Sequence, residues 1–216
     1  MGIYFILLSL LFLLSIFHLN RESKFFNPIW YAILIFLILF IGFRDGIGGD
    51  WIRYENLFEL FKDRNFQTNF TTEPFFYNFY IILGRLNFNI FMANLLSAAF
   101  FIYSLSLFLK NEKYPFYSLY LAFPVLIVVV SMGFNRQIIA ISFLMIGYLY
   151  WQKFQVRFLI LVIISALFHK SAIVILLINK YKINFKKNIL TLLFAATLLL
   201  FVYLFIYRHL NNIIRG

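Results

Sequence analysis

Three short stretches of this sequence carry side chains suited to binding phosphate and moving protons. The first is Gly42-Phe43-Arg44-Asp45-Gly46-Ile47-Gly48-Gly49-Asp50-Trp51-Ile52-Arg53-Tyr54. Four glycines within eight residues allow tight turns and close approach of the backbone to a ligand. Arg44 would stand at a membrane boundary, level with a lipid phosphate; the plainer reading is an interfacial anchor followed by a flexible loop. No strand precedes the stretch, so it is not a nucleotide-binding glycine motif. The second stretch is Gly133-Phe134-Asn135-Arg136-Gln137. Arg136 opens a helix, where free N–H groups and the helix dipole favour an anion, and its guanidinium forks onto phosphate oxygens. The plainer reading is an arginine snorkelling to the interface. The third is His169-Lys170-Ser171, inside an apolar run. Ionisable groups at membrane depth are costly, and histidine transfers protons near neutral pH. The plainer reading is a polar pair that breaks a helix and faces water.

Other chemistries find little footing. There is no cysteine, hence no disulfide, thiol nucleophile or thiolate metal site. His18, His169 and His209 are too scattered in the sequence to read as a metal site. Six of the eight acidic residues, Asp45, Asp50, Glu55, Glu59, Asp63 and Glu73, lie between Arg44 and Arg85. That single mixed-charge stretch is where polar chemistry has room. Glu73, just before Pro74, is a carboxylate with no evident partner in the sequence.

The elements that must position these residues read as membrane helices. The chain is 216 residues long, 63% hydrophobic and only 12% charged, with 31 Phe and a mean hydropathy of +0.89. Soluble domains carry about 45–50% apolar and about 25% charged residues, so lipid must be the solvent. Apolar runs fall at roughly 3–19, 29–43, 90–109, 116–132, 137–151, 158–179 and 189–207, most near the ~17–25 residues a crossing needs. Weak alternation argues against a β-barrel. A weaker run, 75–88, mixes Tyr77, Asn78, Tyr80 and Arg85 with apolar residues and suits an interfacial helix. Tyr4, Trp30, Trp51, Tyr148, Tyr150 and Trp151 read as an aromatic belt. The expectation is one all-α, polytopic membrane domain over 1–216, a bundle of about seven apolar segments with an external loop at about 44–89.

Orientation follows from basic residues in short loops. Arg21 with Lys24, Lys110 with Lys113, Lys153 with Arg157, and Lys180, Lys182, Lys186 and Lys187 form four clusters. The net charge of +11 is thereby that of cytoplasmic loops and not of a nucleic-acid surface. With those clusters in the cytoplasm, the N-terminus, the loop 44–89 and Arg136 face outward. The first run, with no basic residue before it and no small-residue cleavage site after it, reads as a retained span. One conflict remains: a single apolar run, 158–179, separates two basic clusters. Either it is a re-entrant pair of half-helices with His169 and Lys170 at the tip, or it is one span with the last basic loop outside.

In this order, the motifs resemble the EpsG family of bacterial exopolysaccharide polymerases, relatives of Wzy-type O-antigen polymerases. The residues that carry the resemblance are Gly42-x-Arg44, Gly49-Asp50 followed by Tyr54, Arg136-Gln137, and Ala166-Leu167-Phe168-His169-Lys170-Ser171-Ala172. It covers about 42–180. It implies an inverting, metal-independent glycosyltransferase without cofactors, in the bacterial cytoplasmic membrane with its site facing outward. Its substrates would be oligosaccharide repeat units on undecaprenyl pyrophosphate, polymerised for exopolysaccharide, capsule or O-antigen. Arg44 and Arg136 would hold the pyrophosphate, and His169 would be the base. Asp50, Arg53, Tyr54, Gln137 and Lys170 would bind substrate. Beyond substrate and the bilayer, partners would be other polysaccharide-export proteins. Family members are usually longer than this chain, with more spans. Two other readings stand beside it: a lipid-linked glycan transporter, and a non-catalytic membrane partner of the polysaccharide machinery.

Overall fold

The computed structural model describes residues 2–16, 24–62, 73–151 and 155–176, and every regular element among them is helical. In order these are α1 (Gly2–Ile16), α2 (Phe26–Gly42), α3 (Trp51–Lys62), α4 (Pro74–Arg85), α5 (Ile90–Leu109), α6 (Pro115–Ala122), α7 (Asn135–Tyr150) and α8 (Gln155–Phe168). A π-helical stretch, Phe123–Ser131, continues α6, and a 3₁₀ turn, Lys170–Val174, follows α8. Local chemistry marks the boundaries. Asn89 caps α5 by accepting from the Met92 N–H at 3.1 Å. Pro74 and Pro115 open α4 and α6, where a missing N–H costs nothing. Pro124 stands at the start of the π stretch, where regular i→i−4 bonding gives way.

Six of the expected apolar runs therefore form helices. The seventh, 189–207, lies outside the described residues, as do His18, His209, Asp63, Arg21, Lys153 and the basic cluster 180–187. Among the described residues only α5, with 20 residues, is long and apolar enough to cross a membrane by itself. At 1.5 Å per residue it spans about 30 Å, the thickness of a hydrocarbon core, whereas the 15 residues of α1 reach only about 22 Å. The run 158–179 is not one continuous helix: α8 ends at Phe168, and His169 is extended. The described residues of the loop 44–89 form two helices and not one. The second coincides with the run expected to lie in the interface. The first, α3, was hidden in a charged stretch, yet Trp51, Tyr54, Phe58 and Phe61 recur at helical spacing and are all buried.

Packing is built around α5. The buried face of α2, Phe26, Trp30, Leu34, Leu37 and Ile41, follows a 3.6-residue period and runs antiparallel to α5. At one end Trp30 Nε1 donates to Ser106 Oγ at 3.1 Å. At the other, a Cβ on Gly42 would meet the Leu95 backbone at 2.9 Å, so only glycine lets the two helices approach this closely. α7 lies parallel to α5, with Phe108 against Tyr148 at one end and Asn94 bonded to Asn135 at the other. α8 returns antiparallel to α7, with Trp151 against Phe158 and Ser165 Oγ donating to Ala140 O. Trp30 and Trp51 are buried in this core at 0% and 7% exposure, which corrects their assignment to an aromatic belt.

This connectivity gives the bundle two unlike ends. The end of α2, the end of the π stretch, the end of α8 and the starts of α3, α4, α5 and α7 gather at one of them. The loops bearing Lys24, Lys110 and Lys113 share the other with the start of α8, which carries Arg157.

Candidate active site

The floor of the first end is a buried polar layer centred on Arg44, which is 4% exposed. Helix C-termini leave carbonyls unbonded and carry partial negative charge. Arg44 reaches carbonyls at two such ends: Nη1 donates to Ser131 O at 2.7 Å and, at 3.4 Å, to Ile41 O, which also accepts from the Arg44 backbone N–H. Its Nη2 donates to Asn135 Oδ1. Asn135 Nδ2 donates in turn to Tyr80 OH and to Asn94 Oδ1, each at 2.6 Å. Arg44 Nε and Asn94 Nδ2 have no partner among the described residues. Burial pulls the Arg44 pKa down to about 10, against the opposing influence of Tyr80 and Tyr54, so the group stays cationic at neutral pH. Gly48 lets the loop reach this layer. Its φ of +116° suits only glycine, and a Cβ there would collide with Met132 O.

Above the floor, Glu73 gathers the reactive side chains. One carboxylate oxygen, Oε2, accepts from Arg136 Nη1 at 2.7 Å. The other, Oε1, accepts from His169 Nδ1 at 2.6 Å and from the Lys170 backbone N–H at 3.3 Å. The Arg136 guanidinium is held further by Tyr54 OH, to which Nε donates at 3.0 Å, and lies over the rings of Tyr54 and Phe76. Tyr54 OH donates to Asp50 Oδ2 at 3.2 Å, and Arg136 Nη2 lies 3.6 Å from the same carboxylate. Side-chain exposure is 3% for Glu73, 18% for both Arg136 and His169, and 25% for Asp50. Glu73 is thus the covered hub, and its partners reach the surface.

The electrostatics follow from these contacts. Burial by itself raises the Glu73 pKa. The hydrogen bond and charge of Arg136, then those of His169, outweigh it and hold the carboxyl below its ordinary value of 4.5. Burial pushes the Tyr54 phenol up to about 12, against the pull of Arg136. Glu73 also occupies the left-handed region, φ 59° and ψ 51°, directly before Pro74. Such a non-glycine conformation costs about 1–3 kcal/mol and survives where surrounding bonds over-determine it. Charge-assisted hydrogen bonds, each about 1.5–3 kcal/mol, are enough to hold it.

Asp50, Tyr54, Arg136 and His169 therefore meet, with the Lys170 backbone beside them. The Lys170 side chain is exposed. Arg53 is exposed and Gln137 half-buried, and neither side chain makes a hydrogen bond or ion pair with the described residues. Arg44, expected at a lipid phosphate, instead has its guanidinium turned inward onto carbonyls. The reason is that two helix C-termini converge on it.

The EpsG family model matches residues 27–216. The chain belongs to the EpsG family. No curated protein and no solved structure matches it. The span matched to the EpsG family contains every residue of the site, from Arg44 to Lys170. The sequence passed over Asn94 and Ser131, gave Asn135 no role, and left Tyr80 and Glu73 without partners. Asn135 had a signal, being adjacent to Arg136 at a helix start. For Glu73, the only local hint is an acidic residue just before a helix-opening proline.

Proposed function

We propose that this EpsG-family chain is a membrane glycosyltransferase that joins oligosaccharide repeat units carried on undecaprenyl pyrophosphate. The reaction is an inverting displacement without a metal, at the outer face of the bacterial cytoplasmic membrane. The observation that carries this reading is the meeting of His169 and Arg136 on the single carboxylate of Glu73. An ionised carboxylate only accepts, so the His169 nitrogen facing Glu73, Nδ1, carries a proton. The other ring nitrogen, Nε2, then offers a lone pair. A hydroxyl of the acceptor sugar attacks the anomeric carbon of the donor chain. Its proton passes to Nε2, the new C–O bond forms, and the bond from that carbon to the lipid pyrophosphate breaks. A base placed this way contributes about 10²–10⁴-fold in rate.

Arg136 stabilises the charge that develops on the departing pyrophosphate. Two carboxylates stand near it, Glu73 at 2.7 Å and Asp50 at 3.6 Å, so it acts as a fixed and partly compensated cation. Exposed Arg53 and Lys170 add positive charge at the rim for the rest of the substrate. Arg44 acts from beneath, by fixing the helix ends and Asn135 next to Arg136.

Deletion of the gene, followed by analysis of lipid-linked glycans, tests the reading. A polymerase predicts accumulation of single repeat units on the lipid at the outer face. Repeats retained at the cytoplasmic face would instead identify a transporter, and unchanged polymer would remove the chain from the pathway.

A further inference from the structure

Glu73 has no role in the resemblance, yet its carboxylate has one oxygen on each of the two groups assigned to the chemistry. We propose that Glu73 is the positioning residue of this site: Oε1 selects the tautomer and ring orientation of His169, and Oε2 holds Arg136 at a set spacing from it. The inference rests on the proposed function and deepens it.

The argument is geometric. His169 follows the end of α8 in extended conformation; its backbone N–H still bonds Ser165 O at 2.9 Å, which fixes the main chain and leaves the orientation of the ring to be set by side-chain contacts. Its Nδ1 contact with Glu73, at 2.6 Å, ties the ring to the start of α4. The Lys170 N–H on the same oxygen anchors the backbone just after the ring. Arg136 comes from the start of α7, and its bond to Oε2 closes the link between three elements. The carboxylate is covered, so water competes little for its lone pairs. A carboxylate that orients a histidine and stabilises its protonated form is the working principle of hydrolase triads, where removing its charge costs up to about 10⁴-fold.

The charged and titratable groups around His169 are few. Glu73 faces it from α4, Arg136 stands across Glu73 from α7, and Lys170 follows it with an exposed side chain. Asp50 and Tyr54, at the start of α3, connect through Arg136. Glu73 is the carboxylate in direct contact with the ring among the described residues.

Two measurements on the full chain in detergent test the proposal. The chain has 3 histidines, so ring-¹⁵N-histidine spectra contain few signals, and His169→Gln assigns the one that matters. The expected wild-type result is a neutral ring protonated at Nδ1, a preference lost in Glu73→Ala. A wild-type ring protonated at Nε2 would overturn the proposal without reference to activity or to any variant. The second measurement is the rate of chain extension, using lipid-linked repeats extracted from cells that lack this chain. Glu73→Gln is expected to lower the rate about 10²-fold or more and to lose the Nδ1 preference in the spectra, because the amide can turn its NH₂ toward the ring and hold the wrong tautomer. Glu73→Asp should recover part of the Nδ1 preference while the rate stays low, since the shorter side chain cannot reach both partners. A lower rate in Glu73→Gln with the wild-type Nδ1 preference kept would mean that Glu73 only supports the fold. If His169→Ala extends chains at the wild-type rate, the base assignment fails, while the spectra still report separately on Glu73.

Discussion

Arg44 and Asn135 are joined by a hydrogen bond from Nη2 to Oδ1, one residue before the Arg136 that reaches the surface of the site. The cation at the end of α2 thereby sets the start of α7, and the two motifs that carry them form one unit.

Replacing Arg44 should therefore act on stability first. Arg44→Ala leaves Ser131 O and Asn135 Oδ1 without their donor, at about 1–3 kcal/mol for each buried orphan. Arg44→Lys should recover part of this, since one ammonium cannot follow the same fork. Thermal unfolding in detergent orders the three proteins: wild type, then Lys, then Ala. An Ala variant as stable as wild type would show that the buried layer does not depend on this residue.

The glycine loop permits an internal comparison. Gly46 and Gly48 both have positive φ, but a Cβ on Gly46 meets open space while one on Gly48 meets Met132 O. Gly46→Ala should cost about 1–2 kcal/mol, the penalty of a left-handed alanine. Gly48→Ala should cost clearly more and lower chain extension, because the loop bearing Asp50 must move. Equal melting points for the two variants would refute the close approach.

Stability should depend on pH through Glu73. A carboxyl whose pKa is lower in the folded state binds its proton more weakly there, so its contribution is complete above about 4.5, its ordinary value. That contribution is lost as pH falls through the depressed folded value. The melting-point gap between wild type and Glu73→Gln should thus be constant near neutral pH and shrink under strong acid. A gap that widens on acidification would reverse the assigned direction.

Arg136→Lys should lower chain extension about 10²-fold, comparable to removing a transition-state donor. The ammonium cannot bond Tyr54 and Glu73 while also stabilising a departing phosphate. Polymer length on gels, with membrane protein level held equal, measures this. Wild-type polymer in Arg136→Ala would remove the residue from the site.

Orientation is testable because the chain has no cysteine. Asn56, on α3, and Lys113, before α6, are exposed and belong to opposite ends of the bundle. Cysteine at position 56 should react with an impermeant reagent in intact cells, and cysteine at 113 should not. The reverse pattern would invert the topology.

The sequence by itself determined the helical membrane character, because apolar run length and charge content are local properties that lipid reads directly. It located α5 to the residue and marked His169 and Lys170 as the interruption in the run 158–179, leaving open whether the helix breaks there, since an ionisable pair within an apolar run disfavours a continuous span without forbidding it. It also singled out Arg44, Asp50, Tyr54, Arg136 and His169, which occur in short motifs. Only the tertiary structure decided how these meet. Glu73 reaches Arg136 across 63 residues of sequence and His169 across 96, distances at which no periodicity or motif spacing carries information. The packing of α4 against α5 and α8, on both of which α7 also packs, brings them within hydrogen-bond range. The meeting of α2 with the π stretch and α7 likewise buries the Arg44 guanidinium, because the carbonyls at two converging helix C-termini, Ile41 O and Ser131 O, lie within its hydrogen-bonding reach.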